Sequence, residues 1–416
     1  MRMARLASVH QQKRWQIGGS ILVVLIFTAC SFSQTFKVHG DYGLWIKTTD
    51  DSIHVHWLTM MPDTGMAKIM VNDRVLDSTI TSFDFSHRAA FSTHNQSKLD
   101  LYYGSYFHTE DQHQKTVYLG SNDPQGFEFQ SADTIYVIGD VHGKYDNLIT
   151  LLTNAQVIDS TLQWRAGKSH LVFTGDIFDR GNDVTKTLWF IYELERQAQS
   201  AGGHVHVILG NHEIMVFTHD VRYTAGKEKV LADYHGTTYT HMFDLKSSVL
   251  GRWLAQKPIL LKIEPFLFTH GGVAPRYIGQ SIETLNRTLE GLLQEPVFPF
   301  LLTDSTWASF VDSAQYITRM DFFFGPNSLF WYRDYATSDT LGTELDNVLN
   351  FYDAQALVIG HTALDQIKVS YDAKLYAIDL KNPASEMLAL FKKGSFHAYR
   401  FELDGTRTRL HPLPPP

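Results

Sequence analysis

The rhythm of apolar and polar positions changes near residue 131. Between Phe36 and Phe129, the runs SIHVHWLTM, KIMVND, KLDLYYGSYF and KTVYLGS alternate apolar with polar residues, and PDTG, HNQS and NDPQG stand between them. A pleated strand sends successive side chains to opposite faces, so this alternation predicts half-buried strands joined by turns. Residues 31–130 are therefore expected to form a small all-β, sandwich-like module. Its histidines (His54, His56, His87, His94, His108 and His113) are not spaced as metal ligands and read as surface or strand residues.

After Ser131 strands alternate with helices. TIYVIGD, HLVFTGD and HVHVILGNHE read as strands, while KYDNLITLLTNAQV and DVTKTLWFIYELERQAQSA have helical apolar spacing. The second helix turns Leu188, Ile191, Tyr192 and Leu194 toward a core. This order predicts an α/β layered domain over 131–416 whose strand ends face one crevice. The stretch between Glu213 and Ser248 is expected to add helices beside that crevice. MLALFKKGSFHAYRFELDG reads as two strands about a KKGS turn, and HPLPPP, too rich in proline for a sheet, as an extended tail.

Five apolar runs end in polar residues of one kind: IYVIGDVHG, LVFTGDIFDRG, VHVILGNHE, FLFTHGG and ALVIGHT. Each sets Asp, Asn or His at the carboxyl end of a presumptive strand. One such phrase is an ordinary turn. Five in series on an α/β scaffold bring Asp140, His142, Asp176, Asn211, His270 and His361 toward one place, where they read as ligands of a shared metal centre.

The ordered set GDVHG, GDIFDRG, GNHE, HGG and GHT resembles the calcineurin-like metallophosphoesterases, in particular their phosphoprotein-phosphatase branch. LGRWLAQKPILLKIEPFLFTHGGVAP and SLFWYRDY are similar to the bacterial-type Shewanella-like phosphatases. The amino-terminal module is loosely similar to fibronectin type III modules. The family resemblance implies a central β-sandwich flanked by helices and a pair of divalent ions; mixed Asp, Asn and His shells accept Mn, Fe, Zn and sometimes Mg. It assigns the first ion to Asp140, His142 and Asp176, and the second to Asp176, Asn211, His270 and His361. A carboxylate that screens two neighbouring cations, with neutral imidazoles and an amide completing their shells, is a sensible set for lowering the pKa of a shared water. By the same resemblance Arg180 and Arg333 fork onto phosphoryl oxygens, as a planar guanidinium can. His212 then protonates the leaving oxygen, with Asp179 orienting its ring.

Charge and the amino terminus narrow the setting. A net charge of −8 over 416 residues argues against a nucleic-acid partner, since phosphate backbones select basic faces. Arg2, Arg5, Lys13 and Arg14 precede an apolar run from Ile21 to Phe27 that is short for a membrane span but fits a signal peptide, and FTAC resembles a bacterial lipobox. Residues 1–30 are thus expected to direct an extracytoplasmic protein anchored through a lipid on Cys30. Ser31 favours the outer membrane. With the single cysteine lipidated, no thiol is left for a disulfide or a nucleophile. The expected activity is hydrolysis of phosphomonoesters, among them phosphotyrosine or phosphoserine/threonine in proteins. The alternatives are a dinucleoside-polyphosphate or nucleotide hydrolase and, from another class, a binding protein whose amino-terminal module acts while the second domain is structural.

Overall fold

Neighbouring residues of the strand Thr134–Ile138 face different cores: Ile135 and Val137 turn to one, Tyr136 and Ile138 to the other. The same division holds in His170–Phe173, Phe266–Thr269 and Ala356–Ile359, which is why these strands read as continuous apolar runs. A strand apolar on both faces must be covered on both. In the computed structural model, which describes residues 43–93, 95–119, 126–130, 132–302 and 312–412, two sheets supply the cover. The expected signal peptide with Cys30, His94, most of NDPQG and the last four residues lie outside these.

The first sheet runs in the order Arg407–Pro412, Ser395–Glu402, Glu386–Lys393, Thr134–Ile138, His170–Phe173 and His204–Val207. The second runs Lys368–Ser370, Leu375–Ala377, Ala356–Ile359, Phe266–Thr269, Leu260–Ile263 and Glu128–Phe129. Their facing sides share Val137, Val172, Phe266, Phe268, Val358, Ile378 and Leu388, forming the inner core of a β-sandwich. Helices, among them Tyr145–Asn154, Val184–Ser200 and Ile282–Gln294, cover the outer faces. Three strands of the first sheet are parallel, Thr134–Ile138 with His170–Phe173 and His204–Val207. So are three of the second, Phe266–Thr269 with Ala356–Ile359 and Leu375–Ala377. The carboxyl ends within each set therefore emerge at one edge.

The two strands expected about KKGS form, with Gly394 at the turn. The tail departs from expectation: Arg407–Pro412 pairs with Ser395–Glu402, so His411 and Pro412 belong to a strand. This strand lies at the sheet's edge, where proline is tolerated.

PDTG also departs from expectation. Ser52–Val71 passes through it as one strand and pairs with Arg74–Ser92 in a long hairpin. The turn is at Asn72 and Asp73, both left-handed (φ 47° and 61°), the backbone of a two-residue hairpin turn that matches strand twist. Pro62 is tolerated because the pairing register shifts between Leu58 and Asp63, where its missing N–H interrupts no ladder.

This amino-terminal part is a single five-stranded antiparallel sheet, not a sandwich of its own. Its apolar face (Ile53, Val55, Trp57, Leu99, Leu101 and Tyr103) joins the same core as the helix Val184–Ser200. That helix is buried beyond the stripe its spacing indicates: Trp189 Nε1 donates to Leu44 O at 2.9 Å, and Tyr118 N donates to the Tyr192 hydroxyl at 3.2 Å. Between sheet and sandwich it has apolar neighbours on both sides.

Candidate metal centre

All six expected ligands are buried and stand at the same strand edge. Asp140 and His142 follow Thr134–Ile138, Asp176 follows His170–Phe173, and Asn211 opens the helix Asn211–Phe217 after His204–Val207. His270 and His361 follow Phe266–Thr269 and Ala356–Ile359. The glycines before them permit the convergence: a Cβ at Gly210 would overlap Asp176 Oδ1, and one at Gly360 would stand 2.5 Å from Asp140 Oδ1.

The backbone at the centre is unusual. His142, Asp176, Asp179, Arg180 and His361 are left-handed, with φ between 46° and 67°. Such conformations are costly for residues with a Cβ and persist where surrounding bonds impose them. Here the N–H groups of Val141 and His142 donate to Asp176 O at 3.0 and 2.9 Å. The buried Glu213 carboxylate accepts from Gly210 N (2.7 Å), Asp176 N (2.9 Å), Ile177 N (2.7 Å) and Phe178 N (3.3 Å), tying GDIFDRG to GNHE.

Asp176 is common to two groups whose ligand atoms lie within 4.8 Å of one another, His142–Asp176–His212 and Asp176–His270–His361. His142 Nε2 is 3.9 Å from both Asp140 Oδ2 and Asp176 Oδ2. His270 Nε2 is 3.4 Å from Asp176 Oδ1 and 2.9 Å from Asn211 Oδ1. The outer ring nitrogens are committed: Nδ1 of His142 donates to Phe178 O at 2.7 Å, and Nδ1 of His270 to Thr174 O at 2.8 Å. For His142 this fixes the tautomer that leaves Nε2 as a lone pair facing inward. Nε2 of His142 and of His361 is buried with no hydrogen-bond partner.

Electrostatics agree with a cationic occupant. Burial, together with repulsion from Asp379 and Asp176, raises Asp140 well above the usual carboxylate range. Burial also opposes ionisation of Asp176, but His270 and His212 outweigh it and hold that carboxyl well down. Burial lowers His142 to about 3 and His361 to about 2, keeping both imidazoles neutral. Crowded buried carboxylates and neutral, unpartnered ring nitrogens form a donor set that fits divalent metal ions.

The catalytic candidates adjoin this set. His212 Nδ1 lies 2.7 Å from Asp179 Oδ2, and Thr224 Oγ1 donates to Asp179 Oδ1 at 2.9 Å. Asp179 is wholly buried, so it is a partner of His212 and Thr224 and not of a surface arginine. Burial disfavours the charged His212 ring, but Asp176 and Asp179 more than offset this and raise its pKa. Exposed Arg180 places Nη2 3.2 Å from His212 Nε2. An N–H donor there suits the neutral ring, whose Nε2 can accept a proton only where Arg180 does not donate to it. Arg333, also exposed, donates from Nη1 to His361 O at 2.8 Å.

Four contributors escaped the sequence reading. Glu213 sits inside GNHE without an assigned role. Thr224 and Tyr223 carry no motif. Asp379 is buried after Leu375–Ala377, shares a hydrogen bond with Asp140 and leaves Oδ1 unpartnered. Its signal was present in LYAIDL, a sixth apolar run ending in a carboxylate.

A family model described as calcineurin-like phosphoesterase matches residues 134–365. The Shewanella-like protein phosphatase 1 of Plasmodium berghei is 27% identical over 229 residues, 55% of this chain and 60% of that protein. A symmetrical bis(5'-nucleosyl)-tetraphosphatase of Escherichia coli is 29% identical over 170 residues, 40% of this chain and 53% of that one. The crystal structure of a cold-active protein-tyrosine phosphatase from a psychrophilic Shewanella species superposes with a TM-score of 0.67 at 25% identity, covering 88% of this chain and 98% of that one. The chain spans between a quarter and three-fifths of the length of the curated relatives it matches, the Plasmodium and Escherichia coli proteins included.

Proposed function

The chain belongs to the calcineurin-like phosphoesterases, and from that membership we propose that it is a two-metal phosphatase acting on phosphomonoesters, with phosphotyrosine and phosphoserine or phosphothreonine side chains of proteins as candidate substrates. The carrying observation is the hydrogen-bonded series Thr224–Asp179–His212–Arg180 beside the buried ligand set. Asp140, His142 and Asp176 would hold one divalent ion, and Asp176, Asn211, His270 and His361 the other. When bound, the ions supply a water of lowered pKa and neutralise charge on the phosphoryl oxygens.

The chain's own residues do the rest. Arg180 and Arg333 are exposed at the mouth of the site and swing onto phosphoryl oxygens, where a guanidinium makes two parallel bonds. Moving Arg180 frees His212 Nε2 to carry a proton. Asp179 holds the opposite nitrogen, so the proton is delivered toward the leaving oxygen. Glu213 acts on no reacting atom; it keeps the two loops in register.

Nucleotide hydrolysis is the competing reading, drawn from the tetraphosphatase relatives. Purified protein with added Mn²⁺, assayed against phosphotyrosine, phosphoserine and dinucleoside tetraphosphate, separates the two. Faster turnover of the dinucleotide than of both phosphoamino acids would displace the phosphomonoesterase reading. We further propose an extracytoplasmic, outer-membrane setting through a lipid on Cys30, on the strength of the leader sequence alone.

A further inference from the structure

One aromatic residue beside the proposed acid has no structural duty that explains its position. Tyr223 remains 50% exposed, yet its ring centroid lies 5.4 Å from that of His212 at a tilt of 57°. Its backbone is fastened to the site: Tyr223 O accepts from Arg180 N at 2.8 Å, and the next residue is the Thr224 that bonds Asp179. Its ring is backed as well. The Arg222 guanidinium carbon lies 5.6 Å over the Tyr223 centroid. Arg222 is itself held in a fork by Asp220, from Nε to Oδ1 at 2.8 Å and from Nη2 to Oδ2 at 2.7 Å. A ring backed by a fixed cation, half open to solvent and beside the group that protonates the leaving oxygen is placed where a leaving group must sit.

We propose that Tyr223 is the platform of a leaving-group subsite that takes a planar aryl group, so that aryl phosphates bind in preference to alkyl phosphates. The inference rests on the phosphatase reading and gives it a substrate class, phosphate esters of phenols, among them phosphotyrosine. Aromatic rings gain from stacking beyond the area they bury, whereas an alkyl group gains only by contact. The other ring beside a ligand serves less well: Trp331 stands edge-on to His361 at 5.4 Å, half-buried, with its indole N–H bonded to Phe323 O at 2.9 Å.

Binding of unreactive phosphonates tests the platform without chemistry. Benzylphosphonate copies the spacing of a phenyl phosphate and ethylphosphonate that of an alkyl phosphate. Calorimetric titration of each into the full-length, Mn²⁺-loaded protein gives a ratio of dissociation constants. Tyr223→Leu should shrink the benzyl preference by roughly five- to tenfold, and Tyr223→Phe should keep it, because the ring and not the hydroxyl is required. If the wild-type protein binds both phosphonates and hydrolyses nitrophenyl phosphate, but the ratio is the same in Tyr223→Leu, the platform falls and the phosphatase stands. If the wild type neither binds phosphonate nor hydrolyses the ester, both fall.

Discussion

Asp179 and His212 face each other across 2.7 Å, carboxylate Oδ2 to ring Nδ1, with both side chains buried. The carboxylate fixes the ring's orientation and favours its charged form, the two properties a leaving-group acid needs. Nitrophenolate departs without help, whereas a serine alkoxide requires a proton. His212→Ala should therefore slow nitrophenyl phosphate little and alkyl phosphates by up to about 10²–10⁴-fold. Asp179→Asn should follow the same trend more weakly. Equal losses on both substrates, in protein that retains its metals, would remove His212 from the acid's role.

Asp176 is shared between the two ligand groups, so its loss strikes both. Asp176→Asn should reduce bound metal and turnover together, by more than the roughly 10–100-fold typical of losing a ligand's orienting partner. Elemental analysis alongside a nitrophenyl phosphate assay checks this. Two metals per chain with near-normal turnover would sink the bridging assignment.

Glu228 predicts a pH effect on stability away from the chemistry. It is completely buried, accepts from Thr185 Oγ1 at 2.6 Å, and burial raises its pKa from 4.5 to about 7. The folded chain thus favours the protonated form. This stabilisation is complete below pH 4.5 and is lost as the pH rises through about 7, an effect on the order of 3 kcal/mol. Glu228→Gln keeps a neutral group at every pH and should melt higher than wild type above pH 7. Parallel pH dependences of melting for wild type and Glu228→Gln, from roughly two units below to about one unit above that value, would show that Glu228 does not titrate in this way.

Trp189 joins the amino-terminal sheet to the sandwich through packing and its bond to Leu44 O. Trp189→Ala should destabilise the protein by about 3–5 kcal/mol. The change lies away from the ligand set, so metal content of the folded fraction should hold. Thermal unfolding followed by elemental analysis tests both, and a loss below 1 kcal/mol, about a third of the expected minimum, would deny the sheet its place in the common core.

If Cys30 carries the proposed lipid, Cys30→Ser should move the protein from the membrane to the soluble extracytoplasmic fraction with its activity intact. Fractionation with an activity assay decides this. An unchanged distribution would indicate an ordinary signal peptide or an uncleaved anchor.

The sequence by itself determined where the candidate ligands gather. Apolar runs ending in Asp140, Asp176, Asn211, His270 and His361 are local patterns, and parallel strands carry their ends to one edge whatever the remaining packing does. The strand pair about Gly394 and the helix Val184–Ser200 were legible for the same reason: period and turn chemistry act over a few residues.

Tertiary structure alone decided what those residues bond to. Glu213 gathers four backbone N–H groups, three of them from 35 to 37 residues away, and Asp379 meets Asp140 from the far end of the domain. The same holds for the passage of Ser52–Val71 through PDTG and for the core that its sheet shares with Trp189. In each case a weak local preference yields to partners distant in the chain. Proline was tolerated at 62 because the strand beside it shifted register, and left-handed backbone at Asp176 because bonds from other loops impose it. A hydrogen bond between distant residues depends on how whole elements pack, and that is set by the buried cores on both faces of the sandwich, not by the residues that make the bond.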